Sequence, residues 1–247
     1  MPDAAPNPEL LRSLGRLARG LSALFWGLPA ALIIYAETAR ADWLKPPGIL
    51  PALAANGLLL FGLWQLGDFQ KQERSWLNAL DRAKLLGLVN FGLCPFLYWQ
   101  TNMPDQPFFN AAVWVLALSA LLFLFNLNLV LKQLGAMLPD ETLRQETRQF
   151  TALNRGLLAV LLLLAAGYVA LLYSPPLRPA PDAASAWTAA FGVSPRMQAA
   201  FSLSLNWILR FGFWALTFFS LLPLAMTMAL LWKTKEVILE SVFDARR

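Results

Sequence analysis

The sequence predicts an all-α polytopic membrane protein: six transmembrane helices arranged as three helical hairpins, with short amphipathic cytoplasmic helices and both termini in the cytoplasm. Three observations carry that expectation. Of 247 residues, 57% are hydrophobic and only 14% charged, well below the charge fraction of ordinary soluble domains. The apolar residues fall in six long blocks, each close to the length needed to cross a bilayer. Lys and Arg gather beside alternate ends of those blocks, the distribution that sets orientation in a membrane.

Residues 1–8 are polar and Pro-rich and are expected to be a disordered tail. Residues 9–239 form the predicted single six-helix domain, and 240–247 a charged C-terminal tail. In the stretch Glu9–Arg19, Leu10, Leu11 and Leu14 alternate with Arg12, Arg16 and Arg19, a pattern suited to a short amphipathic helix at the interface. The first span covers about Leu21–Ala36 and is read as retained, not as a cleaved signal, because no small-residue cleavage pattern follows it. Pro46-Pro47-Gly48 breaks the chain before a second span, about Leu50–Leu66. Charged residues from Phe69 to Lys84 precede a third span, about Leu85–Trp99. A turn without positive charge leads to the fourth, about Phe109–Leu131.

Gly135–Pro139 is expected to end that helix, and Asp140 to cap the next. The fifth span covers about Gly156–Tyr173. A Pro- and Ala-rich loop over Ser174–Ser194 leads to a sixth span, about Trp207–Trp232, which contains Pro223.

Charge orients these elements. Fifteen of the 20 Lys and Arg fall in the N-terminal segment, the second and fourth loops and the C-terminal tail; Arg40, Lys45, Arg178 and Arg196 fall on the other side, and Arg210 near a span end. The excess assigns both termini to the cytoplasm. The same cations would meet anionic phospholipid at that face. They account for the net charge of +5 without nucleic acid as a partner. The expected compartment is a bacterial inner (plasma) membrane, since no organellar targeting pattern is present.

One short pattern (a large apolar residue, two residues, Leu, one residue, Arg) occurs three times, each time before an outward span: Leu11-Arg12-Ser13-Leu14-Gly15-Arg16, Leu77-Asn78-Ala79-Leu80-Asp81-Arg82 and Phe150-Thr151-Ala152-Leu153-Asn154-Arg155. Two inward spans also close on Gln-Leu-Gly. These strings define candidate repeats over 9–67, 75–135 and 148–235, anchored at Arg16, Arg82 and Arg155. Interfacial anchoring of Arg accounts for the same pattern without common ancestry.

The chemistry available is sparse. The chain has no His and a single Cys, which removes His-based metal sites, His general bases and the usual Ser-His-Asp and Cys-His catalysis. Cys94, beside Pro95 in an apolar run, reads as a small buried hydrophobe. No Asp or Glu falls mid-span, which disfavours a proton relay. Nor is there a paired-Asp run, a phosphate-binding Gly loop, HExxH or GxSxG. No catalytic, cofactor-binding or metal-binding residue is therefore expected.

The polar residues within spans are neutral. Asn56, Asn90, Asn126 and Asn128 would either line an inward-open polar pocket or, the preferred reading, fix helix packing by hydrogen bonds. Arg210 and Glu37 lie near the outer interface, where they would form an ion pair.

The resulting expectation is a non-catalytic subunit or scaffold of a membrane complex, with a membrane-protein partner or a second copy of itself. The alternatives are a transporter or channel subunit for a small solute or lipid-like molecule and, less favoured, a lipid-modifying enzyme.

Overall fold

The computed structural model describes residues 8–38, 47–67, 69, 73–137, 141–173 and 221–239. Among these residues the regular structure is entirely α-helical: α1 (Pro8–Thr38), α2 (Leu50–Leu66), α3 (Arg74–Leu93), α4 (Pro95–Asn102), α5 (Pro107–Met137) and α6 (Glu141–Tyr173). Residues 221–239 are also helical and are called α7. Three stretches are long and apolar enough to cross a membrane, Arg12–Thr38, Pro107–Met137 and Thr147–Gly167, and α2 is a shorter apolar helix. Of the expected 1–8 tail, Pro8 already belongs to α1; residues 1–7, the 39–46 and 174–194 loops, the Asp140 cap, the outer part of the sixth span and the 240–247 tail lie outside the described residues.

The expected separate amphipathic helices are instead the opening turns of longer helices. Glu9–Arg19 runs without interruption into the first apolar block within α1, and the second and third Arg-bearing strings open α3 and α6 in the same way. No helix breaker separates the charged turns from the apolar ones, and Gly20 stays helical because it is packed against a neighbour. The third predicted span, by contrast, is divided. Pro95 has no N–H to donate, so α3 closes with the Cys94 N–H on the Asn90 carbonyl at 2.9 Å, and α4 begins at Pro95. The fourth helix continues past its expected end through Gly135 to Met137.

The chain divides into two units, Met1–Ala159 with Pro223–Arg247, and Val160–Leu222. In the second, residues 160–173 continue α6 as an apolar helix, with Leu163 and Leu164 exposed.

The first unit is built from helices that bury stripes at three- and four-residue spacing. On α1 these are Leu17, Leu21, Leu24, Leu28 and Ala31; on α2 Ala52, Ala55, Leu59, Leu63 and Leu66. This is the spacing of left-handed, near-parallel helix packing in soluble coiled coils and membrane bundles alike.

Contacts between α1 and α2 run in opposite chain order. A Cβ built on Gly20 would meet Leu66, and one on Gly27 would meet Leu59, while Tyr35 reaches Asn56. The two helices are therefore antiparallel neighbours, joined through the Pro47–Ile49 turn, where Gly48 adopts φ +61°. α2 and α3 pair in the same sense, Gly67 beside Lys84, Leu60 beside Gly87 and Gly57 beside Phe91.

α4 and α5 are clasped at their turn by the rings of Phe96, Trp99, Phe108 and Phe109, with centroids 5.2 to 6.2 Å apart. The Gln100 amide donates to Asn110 Oδ1 at 2.9 Å in the same place. Farther along, Gly135 of α5 lies against Thr147 of α6, and an Arg144 Nη donates to the Ala136 carbonyl at 2.6 Å.

Candidate functional site

The most developed polar feature is a buried seam where α5, α6 and α7 meet. The inward stripe of α6 is Thr147, Thr151, Asn154, Leu158 and Leu161, all 2% exposed or less. Its spacing is that of the apolar stripes on α1 and α2, but its first three members are polar. Facing them are Asn128 of α5 and Thr227 of α7, both fully buried.

Thr227 is the hub. Its hydroxyl accepts from Nδ2 of Asn128 and from Nδ2 of Asn154, each at 3.0 Å, and donates to the Pro223 carbonyl at 2.7 Å. A hydroxyl offers one donor and two acceptor positions, so this one is saturated. Asn128 Oδ1 at 2.9 Å and the Pro223 carbonyl at 3.2 Å are also within reach of Asn154 Nδ2, whose two hydrogens are shared among the three acceptors. Asn128 completes its amide with the Leu124 carbonyl of its own helix at 2.8 Å. Consecutive α5 and α6 and the later α7 are thus joined by one network of neutral groups. Such bonds gain in weight where water does not compete, and leaving one member unpaired is costly.

Arg155, next in sequence, is half-buried, with its guanidinium carbon 4.7 Å from the centre of the Phe125 ring on α5. This cation–π contact places the positive head of Arg155 against an aromatic face.

A second polar contact lies between α1 and α2. The buried Asn56 donates to the Tyr35 hydroxyl at 2.5 Å and to the Ala52 carbonyl at 2.9 Å. Cys94 is buried, with its thiol on the Phe91 carbonyl at 3.2 Å.

The four asparagines singled out from sequence therefore have different surroundings. Asn128 belongs to the three-helix seam and Asn56 to the α1–α2 contact. Asn90 is buried on α3, with its Oδ1 unpartnered. Asn126 turns to the Leu122 carbonyl of its own helix at 2.9 Å. Glu37 is half-buried in the last turn of α1, and Arg210 lies outside the described residues. Arg16 and Arg82 are exposed.

The residue preceding the Arg by two in each string differs sharply in setting: Leu14 is half-buried, Leu80 fully buried and Leu153 69% exposed. The three strings thus present different faces to their neighbours.

Sequence reading passed over Thr147 and Thr227 and met Thr151 and Asn154 only as members of the third Arg-bearing string. The available signal was periodic: Thr147, Thr151 and Asn154 continue the stripe that Leu158 and Leu161 define. Among the described residues, no group of three or more Cys, Asp and Glu stands where it could hold a metal ion. Comparison with protein-family models, curated proteins and solved structures finds no match.

Proposed function

We propose that this chain is a non-catalytic subunit of a membrane complex: a six-span inner-membrane protein of three helical hairpins, with both termini cytoplasmic, that holds one or more partner membrane proteins. The observation that carries this reading is the Asn128–Asn154–Thr227 network. Its members are neutral and spend their hydrogen bonds on neighbouring helices, which is how polar groups act when their task is to fix helix packing. The Tyr35–Asn56 contact does the same between α1 and α2. A rigid bundle locked from within suits a protein whose outer faces are its working surfaces, and α6 carries large apolar side chains outward at Leu153, Leu163 and Leu164.

The test is extraction of the full-length protein into copolymer nanodiscs without detergent, followed by mass measurement and composition analysis. The expected result is a second membrane protein at fixed stoichiometry. A chain recovered alone and monomeric overturns the reading.

A further inference from the structure

Two arcs of side chains share one exposed flank of the α5–α6 pair. Residues four, seven and eleven apart return to the same side of a helix, so Arg144, Arg148 and Arg155 lie within about 40° of one another around α6, and Phe125, Lys132 and Ala136 within about 40° around α5. Two contacts join the arcs. At one end the Arg155 guanidinium lies over the Phe125 ring, and at the other an Arg144 Nη donates to the Ala136 carbonyl. Arg148 and Lys132 fall between those contacts, one on each helix, and both are exposed.

The charges on this flank are unmatched. α5 contains no Asp or Glu, and α6 contains none beyond Glu146. Among the described residues, Lys132, Arg148 and Arg155 make no ion pair, whereas Lys84 sits 3.8 Å from Asp81 on α3. Arg155 stands deepest. It lies eight residues into the Thr147–Gly167 stretch that can cross a membrane, or about 12 Å along the axis. Its Nε is buried with no partner. A guanidinium carried to that depth is costly unless an anion meets it, and the Phe125 ring offsets only part of the charge.

The position of Arg155 selects the anion. A free ion would have to leave water to reach it, whereas a phospholipid brings its phosphate to the membrane on apolar chains. The guanidinium fork fits a phosphate with two hydrogen bonds. Beside Arg155, the residues Ala152, Gly156 and Ala159 are small and exposed, and a Cβ on Gly156 would meet nothing within 4 Å. That leaves room along α6 for the glycerol and the chains. We propose that this flank is a specific site for one anionic phospholipid, its phosphate held by Arg155 with Arg148 and Lys132 above it. The site is distinct from the diffuse attraction of the cytoplasmic cations to the bilayer, and independent of the subunit role.

The test is native mass spectrometry of the full-length protein in a neutral detergent, titrated with dioleoyl phosphatidylglycerol or dioleoyl phosphatidylcholine. The wild type is expected to bind the glycerol lipid at least about ten-fold more tightly than the choline lipid. Arg155→Gln is expected to weaken that binding by at least about ten-fold, the loss of a charge-assisted pair of hydrogen bonds. The double variant Lys132→Gln/Arg148→Gln changes exposed side chains alone, so it tests the site without touching the helix packing, and a similar loss is expected. Arg82→Gln removes an exposed cation of α3 and is expected to leave the affinity unchanged.

Equal affinity for the two lipids overturns the proposal, as does a loss in Arg82→Gln as large as in the flank variants, which would mean diffuse charge. An unchanged affinity in the double variant does the same, whatever the fate of Arg155→Gln. Inorganic phosphate carries the headgroup chemistry without chains and is expected not to displace the lipid; displacement would make this a site for a free anion and overturn the lipid assignment.

Discussion

Gly20 of α1 and Gly62 of α2 stand face to face: a Cβ on Gly20 would lie 2.8 Å from the Gly62 carbonyl oxygen, and one on Gly62 would lie 3.0 Å from that of Gly20. Both obstacles are backbone and cannot rotate away. Gly20→Ala is therefore expected to push the helices apart and cost about 1–2 kcal/mol, the overpacking penalty less the gain in helix propensity. Gly92 and Gly156 also lie within helices, but a Cβ there meets nothing within 4 Å. Alanine at either site is expected to stabilise by about 0.5–1 kcal/mol. Thermal unfolding in one detergent measures all three variants, and opposite signs are the expected outcome.

Thr227 makes a different prediction, because its three bonds involve three helices. Thr227→Val removes them all and strands one N–H of the buried Asn128 amide, Asn154 keeping Asn128 Oδ1 and the Pro223 carbonyl, at an expected cost of about 1–3 kcal/mol. Thr227→Ser keeps the hydroxyl and is expected to lose less than half of that. For the Asn128–Asn154 bond alone, a double-mutant cycle with alanine is expected to return a coupling of about 0.6 kcal/mol, the average for interhelical bonds in membranes, and no more than about 1.7 kcal/mol. Additive losses in that cycle would mean the bond contributes nothing to stability.

Tyr35 offers a smaller test at the other polar contact. Tyr35→Phe removes the acceptor of the Asn56 amide but leaves its bond to the Ala52 carbonyl. The expected loss is about 0.5–1.5 kcal/mol. Because Asn56→Leu removes the amide as well, the double variant Tyr35→Phe/Asn56→Leu is expected to be more stable than Tyr35→Phe alone, the buried orphan having been removed. Equilibrium unfolding of the variants decides the order.

The helical class and much of the placement of the helices were legible in the sequence because they depend on local quantities: block length, hydropathy and helix breakers. α2 coincides with its expected range, and Pro47-Gly48 precedes it as expected. Other features depend on a neighbour that local reading does not supply. Nothing local to Gly20 marks it, yet it is where the backbone of α1 is pressed against that of α2. Asn126 and Asn128 are two residues apart and of one type, but they lie about 200° apart around α5, so one bonds its own helix and the other joins three. The α6 seam was hidden because threonine is a poor marker of polarity; only its register with Leu158 and Leu161 distinguishes a buried Thr151 from a solvated one.

Charge combined with the direction of the helices gives an expected orientation. α1 and α2 are antiparallel, as are α2 and α3, and Lys84 lies beside Gly67 at the end of α2. The Arg144 bond to Ala136 brings the start of α6 to the end of α5. Arg12, Arg16, Arg19, Arg74, Arg82, Arg144 and Arg148 all lie in the opening turns of α1, α3 and α6, while Lys132 lies near the close of α5. The turn between α4 and α5, Met103–Gln106, carries Asp105 and no cation. If the cations mark the cytoplasmic face, a fluorescent protein fused to either terminus should fluoresce, and alkaline phosphatase fused there should be inactive. Alkaline phosphatase inserted between Pro104 and Asp105 should be active. Replacing Arg12, Arg16 and Arg19 together by Ala weakens the bias at the first helix and should move a measurable fraction of N-terminal phosphatase fusions to the active side. Phosphatase activity at the native C-terminus would exclude an arrangement with both ends cytoplasmic, and with it an even number of spans entered from that face.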